Sequence, residues 1–314
     1  MTLIRSIRRV SLFPSLIALF GLACAASHHP TQPTDLGAAS RSEALLAVIA
    51  EPGPIEFETI KAADWAVVRS GLINLDHPKA KAAGLEDGDE PIGVYFHVLR
   101  HPEFGVYIVD SGIESGFRNP DGNDRVSYLV EMAMNTESLV IHQTTAEWLA
   151  QQNEPLAGVF LTHLHLDHVM GLPDVPAGTP VYVGPGEPTA SNFLYMFSRG
   201  TIDRMLESTD ALRVWPFESE PDGRFEGVVD IFGDGSVWAI HVPGHTPGST
   251  AFLVRTPSGS KLLVGDASHT RWGWENGVEP GTFSLDREQS VSSLAGLREL
   301  AREYPQLEVL VGHQ

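Results

Sequence analysis

The stretch Thr162-His163-Leu164-His165-Leu166-Asp167-His168 constrains this chain more than any other. It ends an apolar run, residues 157–162, of the kind that forms a buried strand. Two apart in extended backbone, His163 and His165 project to the same side. A turn after them brings Asp167 and His168 to a neighbouring point. Three imidazoles and a carboxylate within six residues are costly to bury unless they have a partner. Together they form a nitrogen and oxygen ligand set well suited to zinc.

The same device recurs downstream. His245 follows the apolar run 237–242 and is flanked by Pro243-Gly244 and Pro247-Gly248, turns that hold it in a rigid loop. Leu262-Leu263-Val264-Gly265-Asp266 places an aspartate at the exit of a strand. Val309-Leu310-Val311-Gly312-His313 does so with a histidine. Four times a strand is followed by a ligand at its end, which is how a metal site is kept preorganised. Upstream, Asp110-Ser111-Gly112 follows Ile108-Val109, and Asp110 can orient a ligand histidine through its distal N–H. A plain role as a turn aspartate is the alternative.

Around these sites, short apolar runs alternate with Gly and Pro turns. Strands are expected at residues 65–75, 93–99, 105–109, 157–162, 180–183, 228–232, 237–242, 250–254, 261–264 and 307–311. Helices are expected at 42–49 and 191–206, after the capping box Thr144–Glu147, and after Asp286, where Val291, Leu294, Leu297 and Leu300 form a stripe. Strands with helices between and after them predict an α+β layered sandwich with helices outside two sheets. Residues 61–314 are expected to form a single domain, preceded by a leader over 26–60.

Residues 1–25 differ in kind. Arg5, Arg8 and Arg9 precede the apolar run 12–22, and Ala23, Cys24, Ala25 and Ala26 follow. That order predicts a signal peptide and export to the periplasm or the medium. The run is shorter than the roughly 20 apolar residues of a spanning helix, so no transmembrane segment is expected in the mature chain. Cys24, the only cysteine, offers a lipoprotein anchor as an alternative. Without it the mature chain has no thiolate ligand and no disulfide. Removing the signal leaves 18 Lys and Arg against 40 Asp and Glu, a formal net charge of −22. Such a coat repels nucleic acid and leaves a small molecule as the expected partner. The oligomeric state is not legible.

With its H-x-H-x-D-H run, its D-[ST]-G element and its later His245, Asp266 and His313, the chain resembles the metallo-β-lactamase superfamily. The resemblance implies a four-layer αββα sandwich with the site between the sheets. It implies two divalent ions, zinc first, one held by His163, His165 and His245, the other by Asp167, His168 and His313, with Asp266 bridging. Within the superfamily the stretch after Asp266 is most similar to N-acyl-homoserine lactonases. Where those carry Tyr three residues after the bridging Asp, this chain has His269, and Gln314 stands where they have an acid. The implied activity is opening of a lactone or carboxylic ester by a metal-bridging hydroxide, with Asp167 shuttling the proton and His269 donating to a substrate oxygen. The alternatives are a thioester, phosphoester or organophosphate hydrolase of the same fold, or a non-catalytic metal-binding protein. Trp272 and Trp274 are candidates for an acyl pocket, whereas Phe193, Tyr195, Met196 and Phe197 read as core.

Overall fold

Which way alternate side chains point decides the layering. The computed structural model describes residues 25–119, 123–193, 195–220 and 223–314. The expected signal and Cys24 therefore lie outside the described residues, apart from Ala25. In chain order the strands are β1 (Thr31–Pro33), β2 (Ala38–Ser40), β3 (Glu56–Val68), β4 (Asp89–His101), β5 (Gly105–Val109), β6 (Val140–Ile141) and β7 (Leu156–Phe160). They continue as β8 (Val181–Val183), β9 (Leu212–Val214), β10 (Val228–Asp230), β11 (Val237–His241), β12 (Thr250–Thr256), β13 (Gly259–Leu263) and β14 (Glu308–Leu310). One eight-stranded sheet has the order β1-β9-β8-β7-β5-β4-β3-β6, and one six-stranded sheet the order β14-β13-β12-β11-β10-β2.

In β7, Phe160 faces the second sheet while Val159 faces helices. In β11, Val237 and Ala239 face the first sheet, and Trp238 and Ile240 face the other way. The period of two thus gives each sheet an inner and an outer apolar face. The inner faces meet in a core that includes Phe160, Trp215 and Phe252, with Phe160 stacked on Phe252 at 6.0 Å. The outer face of the first sheet is covered in part by the helix Tyr195–Met205, that of the second by Ser42–Val48 and Arg287–Glu303. Each fully buried large side chain contributes about 1.5–3 kcal/mol. The result is the expected four-layer αββα arrangement in a single α+β domain.

The boundaries depart from expectation in instructive places. Residues 26–60, expected as a leader, supply edge strands to both sheets: β1 pairs with β9 in parallel, and β2 pairs with β10 antiparallel. Polar, Pro-containing sequence suits an edge strand, which pairs on one side only. The strand expected at 65–75 stops at Val68 and gives way to the helical turn Arg69–Leu72. Val291 of the expected stripe is exposed, while Leu294, Leu297 and Leu300 are buried. Phe193, Met196 and Phe197, read as core, are exposed as well, and of that set only Tyr195 is buried. No helix among the described residues is long and apolar enough to cross a membrane.

Candidate metal centre

The sheets are joined at one end by Thr162, whose carbonyl accepts from Thr250 N at 2.9 Å. Around this seam every expected ligand leaves a strand. His163 and His165 follow β7, and His165 opens the helical turn Leu166–Val169, which carries Asp167 and His168. His245 follows β11, and Asp266 stands in the turn Gly265–Ala267 after β13. His313 follows β14, its N–H bonded to His269 O and its carbonyl to Gly93 N.

Two four-residue groups of ligand atoms form: His163, His165, His245 and Asp266, and Asp167, His168, Asp266 and His313. All seven expected ligands are brought together, and Asp266 belongs to both groups. Its Oδ2 is 3.5 Å from His163 Nε2, 3.4 Å from His168 Nε2 and 3.4 Å from His245 Nε2, while Oδ1 is 3.3 Å from His313 Nε2. Asp167 Oδ2 lies 3.2 Å from His313 Nε2. Gly312 is required here, because a Cβ would collide with Asp266 Oδ1.

The ring nitrogens facing away from the centre are all engaged. His163 Nδ1 meets Thr162 Oγ1 at 3.1 Å, His165 Nε2 meets Tyr195 OH at 3.2 Å, and His245 Nδ1 meets Ser284 Oγ at 3.3 Å. His168 Nδ1 lies 2.8 Å from Asp110 Oδ2, and His313 Nδ1 donates to Gly93 O at 2.9 Å. Asp110 itself has φ 60°, a conformation sparsely populated outside glycine, and its Oδ1 accepts from Thr162 N at 2.8 Å. Distal contacts of this kind fix ring orientation and tautomer in metal sites.

The inward atoms fit a cation. His245 Nε2 lies 2.8 Å from His165 Nδ1 and 3.1 Å from His163 Nε2. His168 Nε2 and Asp266 Oδ1 are buried without any hydrogen-bond partner. Three imidazole nitrogens converging on one carboxylate is an arrangement of acceptors, which a divalent ion satisfies.

Electrostatically the groups differ. Burial, then the neighbouring imidazoles, hold His163 and His245 well below the usual histidine range, and burial lowers His165 to about 4. Burial also opposes the charged form of His168 and His313. There the carboxylates win: Asp110, Asp167 and Asp266 keep His168 well above its ordinary value, and Asp266 with Asp167 pushes His313 up to about 10. Despite burial, the surrounding imidazoles keep Asp167 and Asp266 below the usual carboxylate range.

His269 joins the cluster more intimately than expected. It is buried, with Nε2 3.2 Å from Asp266 Oδ2, its ring 4.9 Å from His245 and stacked on His313 at 5.8 Å, and Nδ1 unpartnered. Trp274 packs against the outer core of the second sheet. Trp272 lines an open cavity of about 470 Å³ with Arg69, Leu85 and Glu90, and none of the seven ligand residues lines it. The sequence reading missed Glu187, a buried carboxylate bonded to the loops on either side of His163, His165 and His245. A signal was present: Gly184-Pro185-Gly186-Glu187 follows β8 as the ligands follow their strands.

Similar proteins are named lactonases and hydrolases. N-acyl homoserine lactonase AttM of Agrobacterium fabrum is 33% identical over 256 residues, covering 79% of this chain and 91% of its own. The protein of the same name from Azorhizobium caulinodans is 32% identical over 252 residues with the same coverage. A solved N-acyl homoserine lactone hydrolase with the product N-hexanoyl-L-homoserine at its catalytic metal centre superposes with a TM-score of 0.56. It is 20% identical and covers 83% of this chain and 93% of its own, a likeness of fold. Residues 91–313 match the sequence profile of the Metallo-beta-lactamase superfamily, from β4 to the final histidine. By this match and the two lactonase relatives, the chain belongs to the metallo-beta-lactamase superfamily and is a metal-dependent hydrolase.

Proposed function

We propose that this protein is a dinuclear hydrolase that opens a lactone or a carboxylic ester. The observation that carries the reading is the Asp266 carboxylate, shared between two complete sets of ligand atoms. His163, His165, His245 and Asp266 would hold one divalent ion, and Asp167, His168, His313 and Asp266 the other. The all-nitrogen and oxygen donor set suits zinc. When bound, such a pair lowers the pKa of a water toward neutrality and polarises a carbonyl oxygen.

The chain's own groups supply the rest. Asp167 is the most exposed carboxylate of the cluster, its side chain 14% accessible, and His313 fixes one of its oxygens. It is the group suited to take a proton from the attacking water and return it to the leaving alkoxide. Asp110 keeps His168 in one orientation. His269, whose Nε2 lies 3.2 Å from Asp266 Oδ2, would be the donor to a substrate oxygen. The two lactonase relatives support a lactone as substrate class. The acidic coat, −22 after signal removal, disfavours polyanionic phosphodiesters.

The test is a substrate panel on zinc-loaded protein. Acyl-homoserine lactones and simple γ- and δ-lactones should open faster than thioesters or phosphodiesters are cleaved, and chelation should abolish turnover until zinc is restored. His269→Phe should lower kcat more than it raises KM. Faster turnover of a phosphodiester or organophosphate than of every lactone would overturn the substrate assignment.

A further inference from the structure

We propose that the Glu187 carboxylate is a clasp that sets the spacing between the two loops carrying His163, His165 and His245, and is thereby a positioning residue for metal at that group. The inference rests on the dinuclear reading above. Glu187 is 1% exposed. Its Oε2 accepts from Leu164 N at 2.8 Å, and Leu164 is the residue between His163 and His165. Its Oε1 accepts from Gly248 N at 2.8 Å and from Thr246 Oγ1, both in the turn that follows His245. One side chain thus ties together loops that are distant in sequence, immediately behind the ligands they carry.

The backbone around it allows no slack. Gly184 and Gly248 lie so close that a Cβ on either would strike the other's main chain. A carboxylate with no cation among its hydrogen-bond partners is costly to bury: burial pushes Glu187 up to about 7, and the three donors directed at it offset only part of that shift. All three contacts need an acceptor. Neither a shorter acid nor an amide can meet them: Asp falls one methylene short, and Gln turns an N–H towards an N–H or hydroxyl donor. His165 Nδ1 and His245 Nε2 stand 2.8 Å apart, so a small drift between the loops changes the ligand set itself. Among the described residues no hydrogen bond joins Glu187 to Asp167, His168 or His313, so the drift should act first on the group it clasps.

A role confined to holding the fold would weaken both ions and lower Tm together. A clasp acts on one ion. The test is zinc competition against a chromophoric chelator, with melting curves, on the zinc-loaded full chain. It compares wild type, Glu187→Gln and the isosteric Thr246→Val, which removes one of the three donors and carries the test if the first variant folds poorly. Glu187→Gln should weaken one of the two ions roughly ten- to hundredfold, as loss of an outer-shell partner does, and leave the other unchanged. Thr246→Val should shift the same ion by less. In a His168→Ala background, where the remaining ion sits at the clasped group, Glu187→Gln should weaken that ion. Unchanged affinities, or equal weakening of both ions with a matching fall in Tm, would overturn the clasp. A wild-type chain holding fewer than two ions would overturn the dinuclear reading instead, so the two failures are distinct.

Discussion

At the scale of single residues, most of the work at this centre is done by groups that hold other groups. Asp110 shows it best. Its Oδ2 accepts a hydrogen bond from His168 Nδ1 while Oδ1 accepts one from Thr162 N, so one carboxylate fixes an imidazole and the strand exit beside it. Asp110→Asn preserves shape, but its amide can no longer accept at both positions. We expect zinc affinity at the Asp167–His168–His313 group to fall about ten- to hundredfold, with the other group retained. Metal content after dialysis checks this, and retention of both ions at wild-type affinity would sink it. The seven residues that cluster here were legible in the sequence because each announces itself: an apolar run, a small residue or turn, then His or Asp. Glu187 was overlooked although Gly184-Pro185-Gly186-Glu187 repeats the strand-exit pattern, and the Tyr195–His165 contact was not legible because its two rings lie far apart in sequence. His269 was read as a substrate donor, and its contact with Asp266 depends on how the turn Gly265–Ala267 folds back.

At the scale of elements, ligand loops are held by close backbone approaches that the sequence marks only as glycine. Gly244, just before His245, has φ 137° and rests against the first turn of the helix Arg287–Glu303, where a Cβ would strike Ser290 N and Cα. Leu285 N and Asp286 N bond to His245 O and Gly244 O, so the helix entry and the ligand loop move as one. Gly244→Ala must shift backbone on one side, and it should cost more than the roughly 1 kcal/mol of an ordinary glycine replacement. A lower Tm with weakened zinc retention is the expected result, and wild-type values for both would refute the coupling. Apart from the strand expected at 65–75, the centres of the expected strands, the Thr144 capping box and the Asp286 cap were read correctly, because period-two burial and side-chain caps are local properties. The edge strands in residues 26–60 were not. Their stability comes from pairing with β9 and β10, distant in sequence, and their own residues look like a linker.

At the scale of the whole molecule, the two groups share one seam between the sheets yet sit in different fields. Imidazoles dominate around His163, His165 and His245, and burial keeps them neutral at pH 7, His165 down to about 4. Carboxylates dominate around His168 and His313, which are raised, His313 to about 10. A histidine must lose its proton to bind a metal. A raised pKa means that the proton is present at pH 7 and must be expelled, so affinity at that group grows as pH rises and is lost as it falls. A lowered pKa means there is no proton to expel until the solution is far more acidic. Zinc entering the Asp167–His168–His313 group should therefore release about two protons, and zinc entering the other group about none. Acidifying from pH 8 to pH 6 should empty the carboxylate-rich group first, even though it carries the greater negative charge. Calorimetric zinc titration of metal-free protein, repeated in buffers of different ionisation enthalpy, counts the protons for each ion. Equal release at both steps would show that the asymmetry of the field does not survive in solution.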